Sequence, residues 1–151
     1  HSEINVLDAL MTTRVTSHIG LKDVAANIDQ PAVMRAVDLA YSTLKKSGKT
    51  RPHVAVAALN PHAGDNGKFG REEIDILAPA VKACQDRQMH VTGPWPSDTV
   101  FLKAQRGEVD AVVTTTSSPF LPINSRIKSL GFGVVVQMIL VLLPKRTPNM
   151  I

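Results

Sequence analysis

The sequence predicts an α/β fold, a mainly parallel sheet flanked by helices, on three observations. His53–Leu59 is apolar almost throughout, which suits a strand covered on both faces. Val33, Val37, Ala40 and Leu44 recur at steps of four, three and four, laying one apolar stripe along a helix. Strand-like and helix-like patterns then alternate, as parallel strands joined by crossover helices require.

Each element has its local reason. Arg14–Ile19 is rich in β-branched residues and predicts a short strand. Lys22–Ile28 predicts a helical turn or two. Asp29 is placed to cap the next helix, with Pro31 in its first turn and Gly48 as a stop just past Lys46. After the apolar strand comes a glycine-rich loop. Arg71–Asp75 opens a second helix whose carboxylates suit the positive end of the helix dipole. Ile74, Leu77, Val81 and Cys84 mark its expected buried face, and Pro79 should bend or break it. His90–Thr92 predicts a strand, Gly93–Pro96 a turn, Ser97–Arg106 a third helix and Val109–Thr114 a further strand. Val134–Leu143 is strongly apolar but too short to span a bilayer, so it predicts a buried strand. No internal repeat or long linker interrupts this order.

Composition narrows the function classes. A chain of 151 residues, 44% hydrophobic and 20% charged, can bury one sizeable core. The net charge of +4 comes from scattered basic residues, and aromatics make up only 4%. Nucleic-acid surfaces cluster their basic residues and add stacking aromatics, so no nucleic-acid partner is expected. One cysteine, Cys84, excludes an internal disulfide and a cysteine-based zinc motif. No secretory signal opens the chain, and with no membrane span the expectation is a cytoplasmic protein.

Chemistry must then come from histidines and carboxylates. His53 and His90 open strands and read as edge residues. His18 and His62 lie at or just beyond strand ends, where open α/β sheets bind ligands. Neutral imidazoles there are able to share a divalent metal. Yet 44 residues separate the two, and spacing alone favours two independently hydrogen-bonded histidines. Asp65, Asp98 and Asp110 are the carboxylates near strand ends, and Asp98 reads first as a helix first-turn residue. Lys68 reads as a phosphate contact or a solvated charge. Gly64, Gly67 and Gly70 are spaced G-x-x-G-x-x-G, which is not the dinucleotide fingerprint.

Longer motifs are more specific. Ala58-Leu59-Asn60-Pro61-His62-Ala63-Gly64-Asp65-Asn66-Gly67-Lys68-Phe69-Gly70-Arg71-Glu72-Glu73-Ile74-Asp75 resembles the signature of the 4-hydroxythreonine-4-phosphate dehydrogenase family of vitamin B6 biosynthesis. Gly93-Pro94-Trp95-Pro96-Ser97-Asp98-Thr99-Val100-Phe101 is similar to that family's Gly-Pro-x-Pro-Ala-Asp-Thr-x-Phe. Thr16-Ser17-His18-Ile19-Gly20-Leu21 resembles its Thr-Thr-His-x-x-Leu, and Asp110–Val113 continues the match.

The resemblance implies an isocitrate/isopropylmalate dehydrogenase-like fold working as a homodimer. It implies NAD-dependent oxidation of a secondary alcohol on a small phosphorylated hydroxy acid, either 4-phosphohydroxy-L-threonine or a related four-carbon acid phosphate, followed by decarboxylation. It also implies a divalent metal (zinc, magnesium, manganese or cobalt) held by three histidines across the dimer interface. By position His18 and His62 match the first two ligands, and Asp98 is the candidate catalytic carboxylate. Lys128, in Ile127-Lys128-Ser129-Leu130-Gly131-Phe132, matches a substrate-contacting lysine in the family's Lys-x-x-Gly-Phe. The family's cis-diol dehydrogenases are a close alternative. Outside it, the alternative is a non-catalytic dimerising or phosphate-binding module.

The departures are local. Where the family carries its third histidine in Tyr-His-Asp-Gln, this chain reads Thr114-Thr115-Thr116-Ser117-Ser118, and no histidine follows His90. Codons for Tyr-His-Asp-Gln-Phe read one base later yield Thr-Thr-Thr-Ser-Ser, so the expectation is a shifted frame or a misassigned sequence over residues 114–118, and resequencing the gene tests it. Residues 1–113 therefore read as the segment matching the family and 114–151 as a divergent tail of the same domain. The expectation is a central piece of a longer enzyme, inactive by itself because a ligand and most of the cofactor site are missing.

Overall fold

The computed structural model describes residues 4–7, 10–13, 15–16, 19–115 and 141–142. Its strands form one six-stranded sheet in the order β1-β2-β6-β5-β3-β4. They are β1 (Ile4–Leu7), β2 (Leu10–Thr13), β3 (Val54–Ala57), β4 (Val91–Trp95), β5 (Ala111–Val113) and β6 (Val141–Leu142). The helices are α1 (Gln30–Lys46), α2 (Ala78–Asp86) and α3 (Ser97–Gln105).

The parallel part is a trio, with β3 central between β4 and β5. The other half of the sheet is antiparallel, through the β1–β2 hairpin and the pairings of β6 with β2 and β5. The sheet is thus α/β as expected, with the parallel pairing confined to the strands linked by helices. Among the described residues no helix is long and apolar enough to cross a membrane.

β3 explains the layering. All four of its residues are buried, and its side chains alternate between two cores. Val54 and Val56 join Val33, Val37, Ala40 and Leu44 of α1 and Ala80, Val81 and Cys84 of α2 on one face. Ala55 and Ala57 meet Val100, Phe101 and Ala104 of α3 on the other. A continuous apolar run is therefore required, since both faces are covered. α1 begins where expected: Asp29 Oδ1 accepts the Ala32 N–H at 2.6 Å. It ends with Gly48 at φ +97°.

Four local expectations are corrected. The strand at 14–19 is absent from its described part: Val15 and Thr16 form a bend, and Ile19 and Gly20 are irregular. β-branched composition is a weak prior without a pairing neighbour, and the strands lie earlier, at 4–7 and 10–13. Gly93–Pro96 is not a turn, because β4 runs through Trp95. There Gly93 and Pro94 together face Val56, one residue more on β4 than on β3, between the Ala55–Thr92 and Ala57–Trp95 pairs. Gly93 has φ +132°, and a Cβ on it would stand 2.4 Å from the Val56 carbonyl oxygen.

Pro79 does not break the second helix. A π-helical turn, Glu73–Leu77, runs directly into α2, and its wider winding accommodates a proline that cannot donate an N–H. That winding also rotates the buried face. Ile74 is 43% exposed and Glu73 only 3%, while Leu77, Val81 and Cys84 are buried as expected. Of the apolar run 134–143, Val141–Leu142 is described and forms β6; the remainder lies outside the described residues, as does the rest of the tail beyond Thr115.

Candidate functional site

The loop after β3 is wound the wrong way for L-residues. From His62 to Gly67 every residue has positive φ: 53°, 54°, 80°, 44°, 56° and 90° in order. His62 and Ala63 sit at ψ 31° and 39°, in the left-handed helical region. That region costs about 1–2 kcal/mol for each residue bearing a Cβ, least for Asn and Asp. Two glycines and Asp65-Asn66 lower the cost, while His62 and Ala63 bear it in full. Backbone conformations of this kind persist only where surrounding structure over-determines them.

The surrounding structure is a carboxylate clasp. Glu73 Oε1 accepts the backbone N–H groups of Leu59 at 2.8 Å and of Asn60 at 2.7 Å. Its Oε2 accepts Asn60 Nδ2–H at 2.9 Å, and the same amide donates to Glu72 Oε2 at 2.6 Å. Glycines make room for this cluster. A Cβ on Gly64 would lie 2.7 Å from Glu73 Oε2, and one on Gly70 would lie 2.4 Å from Asn60 Nδ2. The first-turn carboxylates thus do not serve their own helix dipole. Glu72 and Glu73 turn back to the loop, and Asp75 pairs with Arg71 at 2.9 Å.

The clasp presents His62 to solvent at the carboxyl end of β3. Its ring lies 6.4 Å from that of Phe69, itself 48% exposed. Among the described residues none forms a hydrogen bond with the His62 ring, so an imidazole nitrogen is available as a donor to a cation. Asp65 and Lys68, beside it, face each other across 3.9 Å at the surface. The loop is tied to α3 by Ser97 Oγ–H, which donates to the Ala58 carbonyl at 2.9 Å. Asp98 follows, exposed in the first turn of α3.

His62 and Asp98 are therefore carried by neighbouring segments at the carboxyl ends of β3 and β4. His18 and Lys128 lie outside the described residues. Among the described residues no group of three or more His, Cys, Asp or Glu side chains is arranged to hold a metal ion. The described residues thus offer one imidazole without a hydrogen-bond partner, His62, whose ring nitrogen has the chemistry of a metal ligand, and no complete set around it. At the end of β5 Thr114 and Thr115 are 4% and 1% exposed, and among the described residues their hydroxyls have no hydrogen-bond partner. They occupy the segment where the resemblance expects the third histidine.

The residues that the motif reading did not single out are Asn60, Glu72, Glu73 and Ser97. Glu73 carried a usable signal: it stands four residues before Leu77 on a face otherwise apolar. Asp110 also resolves, away from this loop. It lies at the opposite end of the strands, where it accepts Lys49 Nζ–H at 2.5 Å and the His53 N–H at 2.8 Å.

Comparison with known proteins follows the same outline. The model of the family described as pyridoxal phosphate biosynthetic protein PdxA matches residues 3–116. The 4-hydroxythreonine-4-phosphate dehydrogenase of Beijerinckia indica is 46% identical over 106 residues, covering 70% of this chain and 32% of that protein. The D-threonate 4-phosphate dehydrogenase of Pectobacterium atrosepticum is 42% identical over 106 residues, covering 70% of this chain and 32% of that protein. The crystal structure of 4-hydroxythreonine-4-phosphate dehydrogenase from Klebsiella pneumoniae superposes with a TM-score of 0.71 at 40% identity. It covers 76% of this chain and 34% of that one. The chain spans about a third of the length of these relatives.

Proposed function

This chain belongs to the family described as pyridoxal phosphate biosynthetic protein PdxA, and from that membership we propose that it forms part of an NAD- and divalent-metal-dependent dehydrogenase. The substrate is a small phosphorylated hydroxy acid. Relatives named for 4-hydroxythreonine 4-phosphate and for D-threonate 4-phosphate support a four-carbon acid phosphate. The reaction oxidises a secondary alcohol to a ketone, and the resulting β-keto acid loses carbon dioxide. We place the working enzyme in the cytoplasm as a homodimer.

The observation that carries this reading is His62: an exposed imidazole without a hydrogen-bond partner among the described residues, at the carboxyl end of the central strand. His62 and His18 would hold the metal through neutral ring nitrogens, each acting as a lone-pair donor. When bound, the ion supplies Lewis-acid polarisation of the alcohol oxygen and nicotinamide supplies the hydride acceptor. Asp98, exposed at the start of α3 and open to substrate from solvent, would take the alcohol proton as general base. Lys128 would pair its ammonium with an anionic group of the substrate. The left-handed loop holds His62 in place before any ligand arrives, which removes an ordering cost from binding.

The test is a turnover assay of the whole enzyme with 4-phosphohydroxy-L-threonine, D-threonate 4-phosphate and an aromatic cis-dihydrodiol. NADH should form from a four-carbon phosphate and stop on chelation of divalent ions. Formation only from the cis-dihydrodiol, or turnover indifferent to chelation, overturns the reading.

A further inference from the structure

We propose that Glu73 is a positioning residue for His62: its buried carboxylate is the fixed point that keeps the 62–67 loop left-handed and the imidazole presented. The proposal rests on the reading of His62 as a metal ligand. Its geometric half stands separately, and the experiment keeps the two apart.

Glu73 grips the loop on both sides of His62. Upstream it accepts the Leu59 and Asn60 N–H groups. Downstream its Oε2 stands where a side chain on Gly64 would be. Within the loop the Asp65 N–H reaches the His62 carbonyl at a long 3.3 Å, the Lys68 N–H reaches the Asp65 carbonyl at 3.2 Å, and the Gly67 and Phe69 N–H groups share the Gly64 carbonyl at 2.9 and 3.1 Å. These bonds start at His62 and run onward; the stretch before it, Leu59 and Asn60, is fixed by the clasp.

The fold does not ask for this carboxylate. Glu73 stands at a position of the helix that packs inward with Leu77 and Val81. Burying a carboxylate there is costly unless its oxygens are satisfied. They are satisfied by donors of the loop itself, three N–H groups from Leu59 and Asn60. The π turn is what brings Glu73, rather than Ile74, to that inward position. Partners one step removed from a ligand alter metal affinity without touching the metal.

The experiment compares the full chain with Glu73→Gln, Glu73→Ala and His62→Ala. One arm follows amide hydrogen exchange at Asp65, Gly67 and Phe69, with Val37, Ala40 and Leu44 of α1 as internal reference. Exchange at the loop amides should rise at least tenfold in Glu73→Ala while α1 is unchanged. Glu73→Gln should lie between, because its amide oxygen still accepts the two backbone N–H groups while its NH₂ opposes Asn60 Nδ2. The other arm titrates cobalt(II) by its visible absorption. Affinity should fall about 10–100-fold in the Glu73 variants with His62 intact, and vanish in His62→Ala.

Unchanged loop exchange in both Glu73 variants overturns the proposal. Faster exchange with unchanged cobalt affinity also overturns it, leaving Glu73 as a structural residue. If the parent chain and His62→Ala bind cobalt alike, the ligand reading of His62 falls, and the exchange arm alone decides whether Glu73 holds the loop. Should Glu73→Ala fail to fold, Glu73→Gln decides both arms.

Discussion

Glu73 and Asn60 are joined at two points: one carboxylate oxygen of Glu73 takes the Asn60 backbone N–H at 2.7 Å, and the other takes its side-chain amide at 2.9 Å. They stand thirteen positions apart, at the two ends of the loop that carries His62. The join converts a glycine-rich connection into a fixed frame.

Asn60→Asp should break that frame. It removes the donor that serves Glu72 and Glu73 and sets a third carboxylate beside them. Loss of a part-buried hydrogen bond to a charged group is worth about 1.5–3 kcal/mol, and repulsion adds to it. Urea unfolding at neutral pH should report a loss of at least that size. Asn60→Ala should lose less, since it removes the donor without adding charge. Equal stability of Asn60→Asp and the parent would contradict the clasp.

Gly93→Ala should be damaging through geometry. Its φ of +132° disfavours any side chain, and the new Cβ would stand 2.4 Å from the Val56 carbonyl oxygen. Backbone strain accounts for about 1–3 kcal/mol, and displacing β4 from β3 adds to it. A thermal melt within a degree or two of the parent would contradict the close approach of β4 and β3 at this point.

His53 should make stability depend on pH. Burial foremost, then the His90 ring stacked 3.9 Å away and Lys103, hold its pKa below the usual imidazole value of 6.5; the Glu108 carbonyl and Asp110 pull the other way. Lys49 faces the same Asp110 carboxylate. The bonding fits a neutral ring: Nδ1–H donates to the Glu108 carbonyl at 3.0 Å. That leaves Nε2, 2.9 Å from Thr92 Oγ1, to accept its hydroxyl proton while Oγ1 accepts the Trp95 indole N–H. With the folded-state pKa depressed, the unfolded chain binds more protons in the window between the two values. The contribution is therefore complete above 6.5 and is lost as pH falls through that value toward the lower folded-state one. Melting temperature should drop between pH 7.5 and 5 by more in the parent than in His53→Gln. Equal slopes would contradict it.

Much of this was legible beforehand, because it depends on period and composition. The α1 stripe, its Asp29 cap and the doubly buried β3 are short-range patterns with one physical solution. The misread places are those where a distant partner decides. Whether Val15 and Thr16 extend a strand depends on a neighbour to pair with, and Gly93–Trp95 is a strand only because Val56 lies close beside it. An ideal 3.6-residue winding places Ile74 inward, whereas the π turn before Pro79 brings Glu73 in. In the site, motif resemblance points to His62; a carboxylate four residues before Leu77 on an apolar face marks Glu73 as unusual, but the loop it holds begins fourteen residues earlier, beyond the reach of any local pattern.

The central claim, that His62 is a metal ligand, is tested most directly by calorimetric titration of the parent chain and His62→Ala with zinc(II) or cobalt(II), with amide exchange confirming that both are folded. The account predicts saturable binding in the parent and none in His62→Ala. Binding of equal affinity in the two proteins would contradict it.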